Sequence, residues 1–122
     1  MSVFAMLAAG AVGAWLRYEI SGWIQSRTES AFPLGTSAVN VLGTILFAVL
    51  VALHQKEEVS SELLFVFGVG FAGAFTTFST WMVETGRLMK GGGRKRFGVA
   101  TVNVALQLVV ALLLAALILA VL

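Results

Sequence analysis

Four long stretches of this chain carry no charged side chain: residues 1–16, 30–55, 63–83 and 97–122. Polar residues collect between them, in "IQSRTESAFPLGTS", "LHQKEEVSSE" and "GRLMKGGGRKRFG". A helix that crosses the hydrocarbon layer needs about 20 predominantly apolar residues. The pattern therefore predicts four transmembrane helices, at about 3–24, 35–53, 62–86 and 97–121. Pro33, whose missing N–H is harmless in a first helical turn, puts the start of the second near Leu34. Ser60 or Ser61 can cap the third, and the glycines at 91–93 form a turn before the fourth.

Composition agrees with this pattern. Of the 122 residues, 59% are hydrophobic and 11% charged, and the mean hydropathy is +0.97. A soluble domain of this length needs more polar surface than that. Residues 1–122 are read as a single integral membrane domain, with too little chain outside the bilayer for a soluble catalytic unit. The protein is accordingly not expected to be an enzyme, and its place is the cell membrane. No Lys or Arg precedes Arg17, so the first span reads as retained and not as a cleaved leader. Cysteine is absent, which excludes disulfides and thiolate metal sites. The single histidine, His54, closes the second span and reads as an interfacial residue.

Charge placement is asymmetric. Loops one and three hold Arg27, Arg87, Lys90, Arg94, Lys95 and Arg96, while the opposite side holds Lys56 alone. The positive-inside rule puts loops one and three in the cytoplasm and both termini outside.

Polar residues within the spans carry the functional reading, because ionisable and amide groups at membrane depth are costly unless partnered. On the second span Thr36, Asn40 and Thr44 recur every four residues and share one helical face. Asn40 brings two amide donors that an anion could use. On the fourth, Asn103 and Gln107 form a second polar stripe. Interhelical hydrogen bonding is the alternative role for both stripes. Arg17 interrupts the first span and either faces an aqueous vestibule or snorkels to the interface.

The third span contains "GFAGAFTTFSTW", residues 70–81, with Gly73 and the hydroxyls of Thr76, Thr77, Ser79 and Thr80. Such a run suits a broken helix, tolerated at membrane depth where it is buried in protein or lines a cavity. Freed carbonyls there can bind a cation, and exposed N–H groups favour anions. Phe78 and Trp81 lie three apart and could turn positive ring edges toward an anion.

These segments together resemble the Fluc/CrcB family of fluoride channels over nearly the whole chain. The resemblance rests on "GAVGAWLRY" (10–18), "PLGTSAVNVLG" (33–43), "GFAGAFTTFSTW" and "RFGVATVNVALQ" (96–107). It implies an all-α membrane protein with four transmembrane helices, a broken third helix and an antiparallel dimer of subunits. It implies passive fluoride export through pores along the subunit interface. The implied lining residues are Asn40, Phe78, Ser79, Thr80, Trp81, Asn103 and Gln107, with Arg17 at a vestibule. A structural sodium ion at the dimer centre is implied on the carbonyls of Gly73 and Thr76. Two positions depart from the family pattern: Trp81 stands where a second phenylalanine is usual, and Ala74 where a glycine is common.

The implied partner is a second, oppositely oriented copy, although the six-to-one basic asymmetry suits pairing with an oppositely oriented paralogue instead. Two rival functions stay open. A small multidrug-type proton-coupled antiporter needs an intramembrane carboxylate, for which Glu19 is the candidate, and a non-conducting assembly subunit would use every polar residue for packing.

Overall fold

A computed structural model describes residues 3–122. These residues are helical throughout, apart from short connections, and four spans are long and apolar enough to cross a membrane. The first is α1, Val3–Ser26. The second is α2, Leu34–Gln55, which starts directly after Pro33. The third, Ser61–Met89, is a composite of four pieces. It opens with α3 (Ser61–Leu63), runs through a π-helical segment, Leu64–Ala72, and continues as α4 (Gly73–Phe75). Helical geometry lapses at residues 76–78 and resumes as α5, Ser79–Met89. The fourth span is α6, Arg94–Val121.

The ends follow from local chemistry. Ser60 is the residue that caps the third span, its hydroxyl accepting from the Leu63 N–H at 3.2 Å. The helix α2 closes in a Schellman arrangement, with Glu57 at φ 62° and the Glu58 N–H reaching the Leu53 carbonyl at 3.0 Å. His54 is tied into that turn through Nδ1 and the Val59 carbonyl, 2.8 Å apart. The helix α6 begins three residues earlier than the charge-free run. Arg94, Lys95 and Arg96 continue it toward water, where their charges are stable.

Most of the large apolar side chains lie on the outside. Phe4, Leu112 and Val121 are among the exposed ones, as expected where the surrounding solvent is lipid. The closest contacts of the interior are instead made by small residues, with Phe75 and Trp81 the large apolar side chains that are buried. Gly13 sits against the Phe71 carbonyl and Gly35 against the Ser21 carbonyl, so closely that neither site has room for a Cβ. A Cβ on Gly70 would lie 2.7 Å from the Met6 carbonyl oxygen. Without a hydrophobic drive between helices in lipid, such close backbone approach supplies the van der Waals contact that holds spans together.

The third span changes neighbours along its length. Its π-helical segment and α4 pack on α1, whereas α5 packs on α6, and α2 touches both parts. The lapse in helical geometry falls where this exchange occurs.

Candidate functional site

The segment between α4 and α5 is extended at Thr76, with φ −84° and ψ 161°. An extended residue at membrane depth leaves backbone groups to be satisfied by side chains. Asn40 from α2 does this for Thr77 on both edges of its backbone. Its Oδ1 accepts from the Thr77 N–H at 2.8 Å, and its Nδ2 donates to the Thr77 carbonyl at 3.1 Å. The second N–H of the same amide goes to Gln107 Oε1 at 3.0 Å. Both Asn40 donors are therefore committed within the subunit.

From Gln107 the bonding continues in one direction. Gln107 Nε2 donates to Asn103 Oδ1 at 3.0 Å. Asn103 Nδ2 donates to Thr85 Oγ1 at 2.9 Å, and Thr85 Oγ1 donates to the Trp81 carbonyl at 2.8 Å. The Trp81 Nε1–H returns to the Asn103 carbonyl at 3.4 Å. This seam joins α2, α5 and α6. Asn103 is wholly buried, and Gln107 and Trp81 nearly so.

The remaining predicted residues face outward. Phe78 is 69% exposed, and Ser79, Thr80 and Gly73 are exposed as well. The Phe78 and Trp81 rings meet edge to face, with centroids 5.7 Å apart. A cleft of about 240 Å³ runs between the two groups, lined by Asn40, Thr44, Thr77, Phe78, Trp81 and Gln107, among others. No carboxylate borders it. At its edge the dipole of α5 favours negative charge, although the Thr80 N–H there already bonds Thr77 Oγ1 at 3.3 Å. The structure thus brings Asn40, Phe78, Trp81 and Gln107 to one cleft. Asn103 is set behind it, in the seam.

Arg17 reaches the same segment from α1. Its Nη1 donates to the Thr76 carbonyl at 3.2 Å, so a half-buried positive charge lies against the interruption. Glu19 is exposed on the surface of α1.

Thr76 also folds back on the preceding turn. Its Oγ1 lies 3.1 Å from the Ala72 carbonyl oxygen and 3.3 Å from that of Gly73. Among the described residues no cluster of three or more His, Asp or Glu could hold a metal. A cation at this level would have to be held by carbonyl oxygens, the donor type that suits a hard ion. Gly73 and Thr76 fit that chemistry. Gly73 has ordinary helical angles, φ −61° and ψ −38°, and a Cβ there would meet only the Gly68 carbonyl, at 3.8 Å. Thr76 keeps a second lone pair on the oxygen that Arg17 engages.

Of two further participants, Thr77 was named from the sequence only for its hydroxyl, and Thr85 was not singled out. Thr77 is the residue that Asn40 clamps, and its Oγ1 also lies 3.1 Å from Thr80 Oγ1. Thr85 anchors the far end of the seam. The spacing of Thr85, four residues after Trp81 and so on the same face of α5, is the signal that could have found it.

A span-for-span comparison with known proteins places the chain. Residues 4–119 match the family described as CrcB-like protein, Camphor Resistance (CrcB). The chain belongs to this family, and is a multi-pass membrane protein. It is 41% identical over 107 residues to a protein of Shewanella woodyi named fluoride-specific ion channel FluC, covering 88% of this chain and 84% of that one. A Shewanella baltica protein of the same name is 44% identical over 99 residues, covering 81% and 77%. A Symbiobacterium thermophilum protein named fluoride-specific ion channel FluC 2 is 38% identical over 106 residues, covering 86% and 84%.

Proposed function

We propose that this chain is the subunit of a fluoride-selective channel that lets fluoride leave the cell down its gradient and so relieves fluoride toxicity. The observation that carries this reading is the pairing of an exposed Phe78 with a mainly apolar, carboxylate-free cleft at the start of α5 that Asn40, Thr77 and Gln107 help to line. Fluoride is small and holds its water tightly. To leave water it needs hydrogen-bond donors at close quarters, and competing negative charge must be absent. The hydroxyls of Ser79 and Thr80, the uncommitted N–H of Gln107 and the positive edges of Phe78 and Trp81 meet that need. Asn40 contributes differently, holding residue 77 in place with its carbonyl oxygen and one of its donors, while the other donor goes to Gln107. Asn103 braces Gln107 from behind, and Arg17 supplies positive potential beside the interruption.

The exposed face containing Gly73 and Phe78 is incomplete in a single subunit, which supports an antiparallel dimer that closes a path along the interface. A sodium ion would be held there by the Gly73 and Thr76 carbonyls of both copies. Bound in that way, it would fix the two interruptions against each other. The partner in this reading is a second copy of the chain. The excess of basic residues on one side of the membrane favours a paralogue of opposite orientation as the alternative. Labelling single cysteines placed in loop three from each side of the membrane separates the two. Antiport is disfavoured by the position of Glu19, which is exposed on α1 and absent from the cleft.

Fluoride efflux from liposomes containing the purified protein tests the function. The wild-type chain should empty fluoride and retain chloride. Phe78→Ile should cut the efflux at least about tenfold without changing the fold, since the ring is mostly outside the subunit core. Absence of efflux from a correctly inserted wild-type dimer would overturn the channel reading.

A further inference from the structure

A second cavity lies away from the seam, on the side of loops one and three. It measures about 570 Å³ and is enclosed by the end of α1, the loop before α2, the end of α5 and the start of α6. Three cations line it, Arg87, Lys95 and Arg96, with a single carboxylate, Glu84. One oxygen of that carboxylate, Oε2, is buried and has no hydrogen-bond partner. Arg96 donates to the Lys90 carbonyl, which uses one of its five N–H groups.

The wall is held in place by Gln25. Its Nε2 donates to the carbonyls of Ser30 at 3.1 Å and Phe32 at 3.2 Å, and its Oε1 accepts from the Gly35 N–H at 3.1 Å. Loop one is thereby fixed against α2, and the cavity is a formed feature. Its charge is unbalanced, with three positive groups facing one negative group.

The depth of the cavity identifies the occupant. Glu84 and Arg87 are the first charges after the uncharged run 63–83, and Lys95 and Arg96 the last before the run 97–122. They sit at the level of lipid headgroups, while Leu88 and Val99 line the same cavity with apolar surface. We propose that this cavity binds the phosphodiester headgroup of an anionic phospholipid of the phosphatidylglycerol type. The phosphate lies among Arg87, Lys95 and Arg96, a headgroup hydroxyl donates to Glu84, and the acyl chains leave past Leu88 and Val99. Basic pockets between transmembrane helices bind anionic headgroups. A free phosphate would satisfy the cations but would leave the apolar wall and the carboxylate unused.

Native mass spectrometry of the full-length protein in detergent, with phosphatidylglycerol, phosphatidylcholine or inorganic phosphate added, tests the assignment. Phosphatidylglycerol should be retained in preference to phosphatidylcholine. Each Lys or Arg beside an anionic headgroup contributes roughly a fivefold preference, so Arg87→Gln with Lys95→Gln should weaken retention about thirtyfold. Lys56→Gln, on the opposite side, should leave it unchanged. If the double variant does not fold, Lys95→Gln alone should lower retention about fivefold. Equal retention of the two lipids, unchanged retention in whichever of these variants folds, or equal stabilisation by inorganic phosphate would overturn the proposal. None of these readouts depends on fluoride conduction.

Discussion

Before residue 76 the third span is almost wholly apolar, contains Gly68 and Gly70, and lies with its backbone against α1. After residue 78 it turns polar, and Trp81 and Thr85 bond to Asn103 of α6. Both halves solve one problem, keeping a backbone satisfied where there is no water. The first relies on helical backbone bonds, including a nine-residue π-helical stretch, a conformation that is rare and usually confined to one turn. The second relies on side chains from other helices. Tight apolar contact should therefore give the first half its stability, and the second half should lose function before it loses fold.

The sharpest way to break the first half is Gly13→Val. A Cβ at Gly13 collides with the Phe71 backbone carbonyl, so the whole helix must move and a rotamer change offers no relief. Overpacking of this kind costs about 1–3 kcal/mol, and more where backbone is the obstacle. Melting of the purified protein in detergent should fall steeply, or the variant should not accumulate. An unchanged melting temperature would mean that α1 is not seated on the third span as described.

Next in size is Asn40→Ala, which strikes the second half. It removes three hydrogen bonds and leaves both polar groups of the Thr77 backbone without their partner. Each buried group left unsatisfied costs roughly 1–3 kcal/mol. Fluoride efflux should fall at least about tenfold while a dimer still assembles, because the contacts of the first half are untouched. Near-normal efflux would show that residue 77 holds its place without α2.

A smaller effect is expected from Gly73→Val, which lies at the boundary between the halves. The subunit has room for the new side chain, since only the Gly68 carbonyl comes within 4 Å of a Cβ there. The melting temperature of the subunit should shift by little, about 1 kcal/mol or less in stability, as for a β-branched residue in an exposed helix. Any larger loss should appear in dimer mass and in sodium dependence, because the open face is where a partner and an ion would sit. If the variant dimerises normally and binds sodium as before, Gly73 is not an ion ligand.

The two halves also differ in how much of them could be read from sequence. The four spans were legible because charge-free runs of helical length have one solution in a bilayer. Their ends were legible where Pro33 and Ser60 act through local bonds. The π-helical stretch was not, since "LFVFGVGFA" would be equally apolar in either helix type. For the site, the four-residue spacing of Asn103 and Gln107 marked a common face but left open what that face meets. The structure turns it inward onto Asn40 and Thr85. Phe78 and Trp81 share a face by spacing as well, yet one is exposed and the other buried. That split depends on where α6 lies, which spacing within α5 cannot express.

The smallest effect, and the finest test of the comparison, is Trp81→Phe. It introduces the phenylalanine that the resemblance implies at this position and removes the indole N–H that bonds the Asn103 carbonyl at 3.4 Å. The bond is long, and interhelical hydrogen bonds in membranes average only about 0.6 kcal/mol. The Asn103 carbonyl also keeps its place in the α6 backbone without it, so stability should fall by no more than about that amount. The edge-to-face contact with Phe78 survives, because phenylalanine offers the same kind of ring edge. Efflux should therefore stay within about threefold of wild type, a change of roughly 0.6 kcal/mol in the barrier. The direction of that change is informative. A modest rise would mean that the larger indole obstructs the cleft, and a modest fall that its bond to α6 keeps the ring in place. A loss as large as that of Asn40→Ala would erase the distinction drawn here, because Trp81 would then hold the interruption and not merely line the cleft beside it.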